Sequence, residues 1–382
     1  MQYQLDSKDK CMRRVMQVVY NLDMGGAENL VFEYCLLLDK SQFEVVLLCF
    51  EHGNAERETI LREHGVKLYF VCEAMTKALR NDIISRARQK WQRFHVVRRI
   101  IRKENPDVIH THLLLNVYVV FAKPDLGTKI FHTVHSDMKR QWSEGRSNRQ
   151  DFRAMKYLIR RYDTTIFALH KRMQKEINDL FGVTNTVVLN NGVEINRFQN
   201  CKDKKVVRRE LGIPEDGFVI GCVGRFNKVK NHDLVIDIFR EYSKRHDNAW
   251  LLLVGNGELK ETIENKLDKL ALLGQTLILS NRLDVPDIMK AMDIMLLTSF
   301  SEGVPLTLVE AQCAGIPAIV SDVVTEDMRI SNLIRYKNIN ESVVLWVDEI
   351  ERFKVDSVEY YNIEDWDIIN IVKQLELMYE EK

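Results

Sequence analysis

Short runs rich in Val, Ile and Leu alternate along this chain with longer amphipathic stretches. The first run, Arg13–Tyr20 (RRVMQVVY), is apolar and β-branched; a loop, Asn21–Gly26 (NLDMGG), and a helical pattern from Ala27 to Leu38 follow it. Strand-like runs recur at Phe43–Phe50, Lys67–Val71, Asp107–Thr111, Lys129–Val134, Thr164–Ala168 and Thr186–Leu189, with helix-like stretches between them. Parallel strands need crossover connections, and a sheet covered on both faces reads as continuous apolar runs. The alternation therefore predicts a parallel sheet flanked by helices.

A turn signal at Asn190-Asn191-Gly192 and a polar stretch to Asp216 interrupt the pattern, which restarts at Phe218–Val223, Ala249–Val254, Leu277–Leu279, Ile294–Leu297 and Ala318–Ser321. The prediction is an α/β protein of two doubly wound, Rossmann-like domains. A tail over 1–12 precedes a first domain at 13–193, a second follows at 194–360, and a C-terminal helix occupies 361–382. That last segment carries Ile368, Ile371, Val372, Leu375 and Met378 at amphipathic spacing and needs a surface to dock on. Ligands of such sheets bind beyond the C-terminal ends of the strands, and the cleft between two such domains is the expected active site.

A length of 382 residues, 46% of them apolar, suits two domains with sizeable cores. No run is long and apolar enough to span a membrane, and MQYQLDSKDKCMRR lacks a signal peptide's apolar segment, so the expected location is cytoplasmic. The seven scattered cysteines form no CxxC pair, which argues against a disulfide framework or structural zinc. Net charge is zero, but residues 1–195 hold 31 Lys and Arg against 23 Asp and Glu, and residues 196–382 hold 24 against 32. The halves face different partners.

The stretch 301–311, SEGVPLTLVEA, places Glu302 in a loop, Pro305 at the first position of a helix and Glu310 within it, with Gly315 suited to its end. The amides from Gly303 through Val304 and Leu306 to Thr307, with the positive end of the helix dipole, form a phosphate site. Glu310 lies roughly 7–8 Å further along the axis at about 1.5 Å per residue, a diphosphate-to-ribose span.

SEGVPLTLVEAQCAGIPAIVSD resembles the E-x7-E segment of family 4 glycosyltransferases, retaining enzymes of the two-domain GT-B fold, and within them those of bacterial capsule and exopolysaccharide assembly. Val223-Gly224-Arg225-Phe226 with Lys230-Asn231 is similar to the family's loop in which Arg225 and Lys230 would clasp the diphosphate. Two cations there neutralise charge on the leaving group. Leu253–Glu258 resembles the second glycine turn. Arg282-Leu283-Asp284-Val285-Pro286 resembles the segment bordering the base, with Ser280 where many relatives have glycine. In the first domain, Gly25-Gly26-Ala27-Glu28 matches the glycine loop placed against phosphate and acceptor, although a plain strand-to-helix turn explains it nearly as well.

The resemblance implies that the C-terminal helix crosses back to the first domain. It also implies that His135, in Phe131–Asp137, contacts the transferred sugar. His112 is an acceptor-side candidate with Gly25 and Arg140, whereas His110 is read as a core residue. Asp365-Trp366-Asp367 has a metal-binding D-x-D spacing but is read as capping the C-terminal helix. No essential metal or cofactor is expected, because Arg225 and Lys230 take the charge role.

Arg80–Lys103 carries nine Lys and Arg, with Trp91, Phe94, Val97 and Ile101 at helical spacing, and is a candidate for an anionic membrane surface. A helix packed on its own domain competes with that expectation. A second basic cluster, Lys139, Arg140, Arg146, Arg149, Arg153, Lys156, Arg160 and Arg161, follows the His135 loop. No nucleic-acid module accompanies the charge. The expected partners are a UDP-sugar and a glycan or lipid-linked glycan acceptor, with Glu302 and His135 facing the sugar. A nucleotide-sugar epimerase of the same fold and a noncatalytic partner subunit are the alternatives; the intact Glu302, Arg225, Lys230 and Glu310 disfavour both.

Overall fold

The computed structural model describes residues 12–23, 25–76, 83–135, 145–282 and 284–381. The chain divides into two compact units, Met1–Asn191 together with Ile369–Lys382, and Gly192–Ile368.

In the first unit the strands are β1 (Arg13–Val19), β2 (Phe43–Cys49), β3 (Lys67–Phe70), β4 (Val108–His112), β5 (Lys129–Thr133), β6 (Thr165–Ala168) and β7 (Val187–Val188). They form one parallel sheet in the order β3-β2-β1-β4-β5-β6-β7. Val15 to Val19 of β1 are all buried, as a strand covered on both faces must be. The second unit repeats the plan with β8 (Phe218–Val223), β9 (Ala249–Val254), β10 (Thr276–Leu279), β11 (Ile294–Leu297), β12 (Ala318–Ser321) and β13 (Ile334–Lys337), ordered β10-β9-β8-β11-β12-β13. One apolar cluster covers each face of this sheet, the first centred on Met292, Leu297 and Leu308, the other on Phe239, Leu253 and Trp346. The GT-B fold class expected from the sequence is the fold observed: two doubly wound α/β units.

The predicted strands hold to within a residue or two. β13 was not anticipated, because IRYK at a sheet edge has only Ile334 fully buried and is too polar to read as an apolar run. Ile363–Trp366 is a 3-10 turn, and Asp367, extended, stands directly before the helix Ile368–Glu380, at the position from which an acid caps a helix. The Val193 amide donates to the Trp366 carbonyl at 2.8 Å, and the Ile368 amide to the Val193 carbonyl at 3.0 Å. The buried Trp366 side chain sets this geometry by anchoring in the second unit's core.

The helix Ile368–Glu380 then buries Ile371, Val372, Leu375 and Tyr379. Tyr379 was absent from the predicted stripe, which ended on the half-buried Met378. Its ring lies edge-on to Phe43 at 6.3 Å, and Arg13 Nη1 donates to its carbonyl at 2.6 Å. Within the helix Ile83–Glu104, Val96, Val97, Ile100 and Ile101 pack into the first unit's core, and Phe94 meets Tyr118 and Phe121. Trp91 stays 61% exposed, so the predicted apolar stripe divides between core and surface. Residues 80–82 lie outside the described residues. No described helix is long and apolar enough to cross a membrane.

Candidate functional site

In the second unit the strand order turns back between β8 and β11, the position at which doubly wound sheets take ligands. Beyond β8, Lys230 closes a 3-10 turn, Lys228–Lys230, whose first amides are capped by Asn227: the Lys230 amide donates to Asn227 Oδ1 at 3.1 Å. Beyond β11, Thr298 Oγ1 donates to the carbonyls of Lys230 and Asn231 at 3.3 and 3.0 Å, and the Phe300 amide donates to the Val229 carbonyl at 2.8 Å. The two loops are thereby fixed to each other. As a result Lys230 Nζ lies 2.6 Å from Glu302 Oε1, and the Ser299 hydroxyl donates to the same oxygen. The side chains of Lys230 and Glu302 are only 17% and 11% exposed. Sequence reasoning gave these two residues separate tasks; the structure brings them into one ion pair. It missed Ser299, whose type carries no signal outside this arrangement.

Glu302 leads through Gly303 and Val304 to Pro305, which stands just outside the helix Leu306–Cys313 instead of at the expected first position within it. The amides of Gly303, Val304, Leu306 and Thr307 donate to no acceptor among the described residues. The Thr307 hydroxyl is buried there without a partner among the described residues. Val304 and Leu306 pack their side chains on the core and so present only backbone. Glu310 follows one turn on, half-buried. Enclosure pushes its carboxyl up to about 7, against the opposing pull of Arg197 and Lys230. Arg197, on Ile195–Gln199, was missed by sequence reasoning: it sits in a polar stretch far from every motif. Gln312 anchors the helix, donating to the Met328 carbonyl at 2.9 Å and accepting from the Ile330 amide and the Ser331 hydroxyl.

The glycines of the second turn are required by packing. A Cβ on Gly255 would lie 2.0 Å from the Gly224 carbonyl oxygen, and one on Gly257 would lie 2.4 Å from the Phe226 carbonyl oxygen. The two loops are hydrogen-bonded, Gly224 amide to Val254 carbonyl and Phe226 amide to Asn256 carbonyl, each at 2.9 Å. Gly255 and Gly257 therefore serve loop-on-loop packing. Arg225 projects from this platform, exposed and without a polar partner among the described residues. Arg282, assigned to the base, turns its guanidinium onto both oxygens of Asp284. Two residues earlier the Ser280 hydroxyl is buried and unpartnered among the described residues.

In the first unit the order turns back between β1 and β4. Gly25 caps the helix Gly26–Leu37, and nothing lies within 4 Å of where a Cβ on Gly26 would stand. Gly53, unremarked in the sequence, is obligatory: a Cβ there would come 2.7 Å from the Leu22 amide in the loop after β1. His112 ends β4 and His135 follows β5, with His112 Nδ1 and His135 Nε2 2.9 Å apart. His112 Nε2 meets Gln17 Oε1 at 2.9 Å. His110, read as a core residue, is fully buried between Tyr379 and Thr133. Burial pushes His135 and His132 down to about 3 and holds His110 and His112 well below the ordinary range, so all four are neutral at pH 7. Arg140 and Lys139 lie outside the described residues, as does the Arg146 side chain. Arg149, Arg153, Arg160 and Arg161 are exposed on Gly145–Tyr162. Among the described residues no group of three or more His, Cys, Asp or Glu could hold a metal ion.

An ion pair, unpartnered helix-start amides and a half-buried carboxylate at the switch point of a doubly wound sheet suit an α/β enzyme that binds a nucleotide there. Two family models match the chain, Glycosyltransferase Family 4 over residues 24–197 and Glycosyl transferases group 1 over residues 203–330. The chain belongs to the family 4 glycosyltransferases. It is similar to the putative glycosyltransferase EpsF of Bacillus subtilis, 26% identical over 89% of this chain and 87% of that protein. It is also similar to an Escherichia coli UDP-Gal:alpha-D-GlcNAc-diphosphoundecaprenol alpha-1,3-galactosyltransferase, 25% identical over 81% of this chain and 79% of that one. Among solved structures, Anabaena HepE in complex with UDP and glucose matches with a TM-score of 0.73 at 18% identity, covering 96% of this chain and 99% of its own.

Proposed function

We propose that the protein transfers a sugar, with retention, from a UDP-sugar to a hydroxyl of a growing glycan, one carried on a lipid diphosphate in the assembly of a bacterial surface polysaccharide. The observation that carries this reading is the array at the turn between β8 and β11: the Lys230–Glu302 pair, the unpartnered amides from Gly303 to Thr307, and the half-buried Glu310 on the same helix. Support for UDP comes from HepE, and for the lipid-linked acceptor from the E. coli galactosyltransferase, each as its name describes it.

Lys230 and Arg225 take the diphosphate, Lys230 exchanging Glu302 for a doubly charged partner, and Glu302 turns to the sugar hydroxyls. Glu310 accepts from the ribose hydroxyls, Arg282 borders the base, and His135 contacts the transferred sugar. Gly25, His112 and Arg140 serve the acceptor side. The diphosphate oxygen released by bond cleavage takes the acceptor's proton, so no protein base and no metal is required: the cations stabilise the charge that grows there. Exposed Trp91 and the basic face of Ile83–Glu104 would bring the enzyme to an anionic membrane.

The test is the release of UDP from a panel of UDP-sugars in the absence of acceptor. Slow release from one sugar, lost in Lys230→Ala, is the expected result; equal indifference to every UDP-sugar sinks the proposal. Loss of binding to anionic vesicles in Trp91→Ala checks the membrane role.

A further inference from the structure

The buried polar groups of the first unit form one continuous path: Thr133 Oγ1, His110, the Tyr379 hydroxyl, Gln17, His112 and His135. Consecutive separations along it are 2.7, 2.6, 3.1, 2.9 and 2.9 Å. Gln17, His110, His112 and Tyr379 are all fully buried. The register that sets Gln17 of β1 beside His110 of β4 creates the middle of the path, and the C-terminal helix supplies Tyr379 from 362 residues away.

The path has a direction. A neutral imidazole carries one N–H, so each histidine here donates once and accepts once. Gln17 turns its amide oxygen to His112 Nε2, which must therefore donate. His112 Nδ1 is then a bare lone pair, and His135 Nε2 must donate to it. The remaining ring nitrogen, His135 Nδ1, is an acceptor, buried and without a partner among the described residues. At the other end the Gln17 amide group donates to the Tyr379 hydroxyl, which donates to His110 Nδ1, and His110 Nε2 donates to Thr133. Reversing the Gln17 amide would reverse every donor along the path and leave His135 presenting N–H.

We propose that Tyr379 and Gln17 are positioning residues that, through His112, hold His135 as its Nε2–H tautomer, so that His135 Nδ1 selects a sugar bearing a hydroxyl able to donate to it. The inference rests on the reading that His135 contacts the transferred sugar. A buried acceptor discriminates strongly, because a sugar without that hydroxyl leaves the lone pair unsatisfied. The C-terminal helix, which brings no reactive group, becomes part of the specificity.

The test uses the full-length protein with 15N-labelled histidine. Wild type should show His135 with an unprotonated Nδ1 and a protonated Nε2 from pH 6 to 8. Tyr379→Phe, which deletes one oxygen, and Gln17→Met, which deletes the acceptor facing His112, should each give a mixture of tautomers. In both variants the affinity for UDP should match wild type, while kcat/KM for release of UDP from UDP-glucose, UDP-galactose and UDP-N-acetylglucosamine falls about tenfold for whichever is hydrolysed. A wild-type His135 protonated at Nδ1, an unchanged tautomer in both variants, or a parallel loss of UDP affinity overturns the proposal. Undiminished UDP-sugar turnover in His135→Ala overturns instead the reading beneath it.

Discussion

Glu310 makes the nucleotide site pH-sensitive in a direction that can be worked out. Its carboxyl titrates at about 7 because enclosure disfavours the charged form more than Arg197 and Lys230 favour it. Only the carboxylate can accept from both ribose hydroxyls, so binding of UDP must remove the proton wherever the free protein carries one. Between pH 8 and pH 5.5 the deprotonated fraction falls about 30-fold, equivalent to about 2 kcal/mol at 1.36 kcal/mol per pH unit. Isothermal calorimetry with UDP should show the dissociation constant rising in wild type by that factor beyond the change seen in Glu310→Gln. In Glu310→Gln affinity should be weak throughout and follow only the nucleotide's own phosphate, which titrates near ~6. The same shift acts on stability with the opposite sign. The folded value lies above the ordinary 4.5, so the contribution to stability is complete below 4.5 and is lost as pH rises through 7, by about 3 kcal/mol. Glu310→Gln should therefore raise Tm at pH 8 while lowering affinity. Parallel pH profiles for wild type and Glu310→Gln would refute the placement of Glu310 at the ribose.

Lys230→Ala should abolish measurable UDP binding and also destabilise the fold by about 3 kcal/mol, since Glu302 is left with Ser299 alone in a largely buried position; denaturant titration reads the second effect. Gly255→Ala should cost more than about 3 kcal/mol, the Gly224 carbonyl being too close for a Cβ, and should lower urea resistance and UDP binding together. Gly26→Ala meets open space, so its Tm should stay within about 2 °C of wild type, and a fall in UDP-sugar turnover would report close approach of a ligand. Asp284→Ala should release the Arg282 guanidinium and change the preference between UDP and other nucleoside diphosphates in competition binding; unchanged preference removes Arg282 from the base site.

What the sequence made legible follows from where each signal resides. Both sheets were readable because central parallel strands are buried on two faces and so are largely apolar. β13, at an edge with one fully buried position, was not. The helix start was readable to within one residue from Pro305. The pairing of Lys230 with Glu302 was hidden, because it depends on β8 and β11 being neighbours although two strands intervene in the chain. Arg197 and Ser299 were hidden for the same reason: each is an ordinary polar residue until the fold sets it beside a carboxylate. The second glycine turn was recognised by resemblance alone, because the group that requires Gly255, the carbonyl of Gly224, lies on another loop and leaves no local signal. Gln17 is the sharpest case. It interrupts an apolar strand where a buried polar residue is costly, and that cost is met only by Tyr379 and His112, neither of which a local pattern connects to it. A buried polar residue inside a predicted central strand is thus itself a signal that distant partners exist, and in this chain those partners run from the C-terminal helix to the histidine assigned to the sugar.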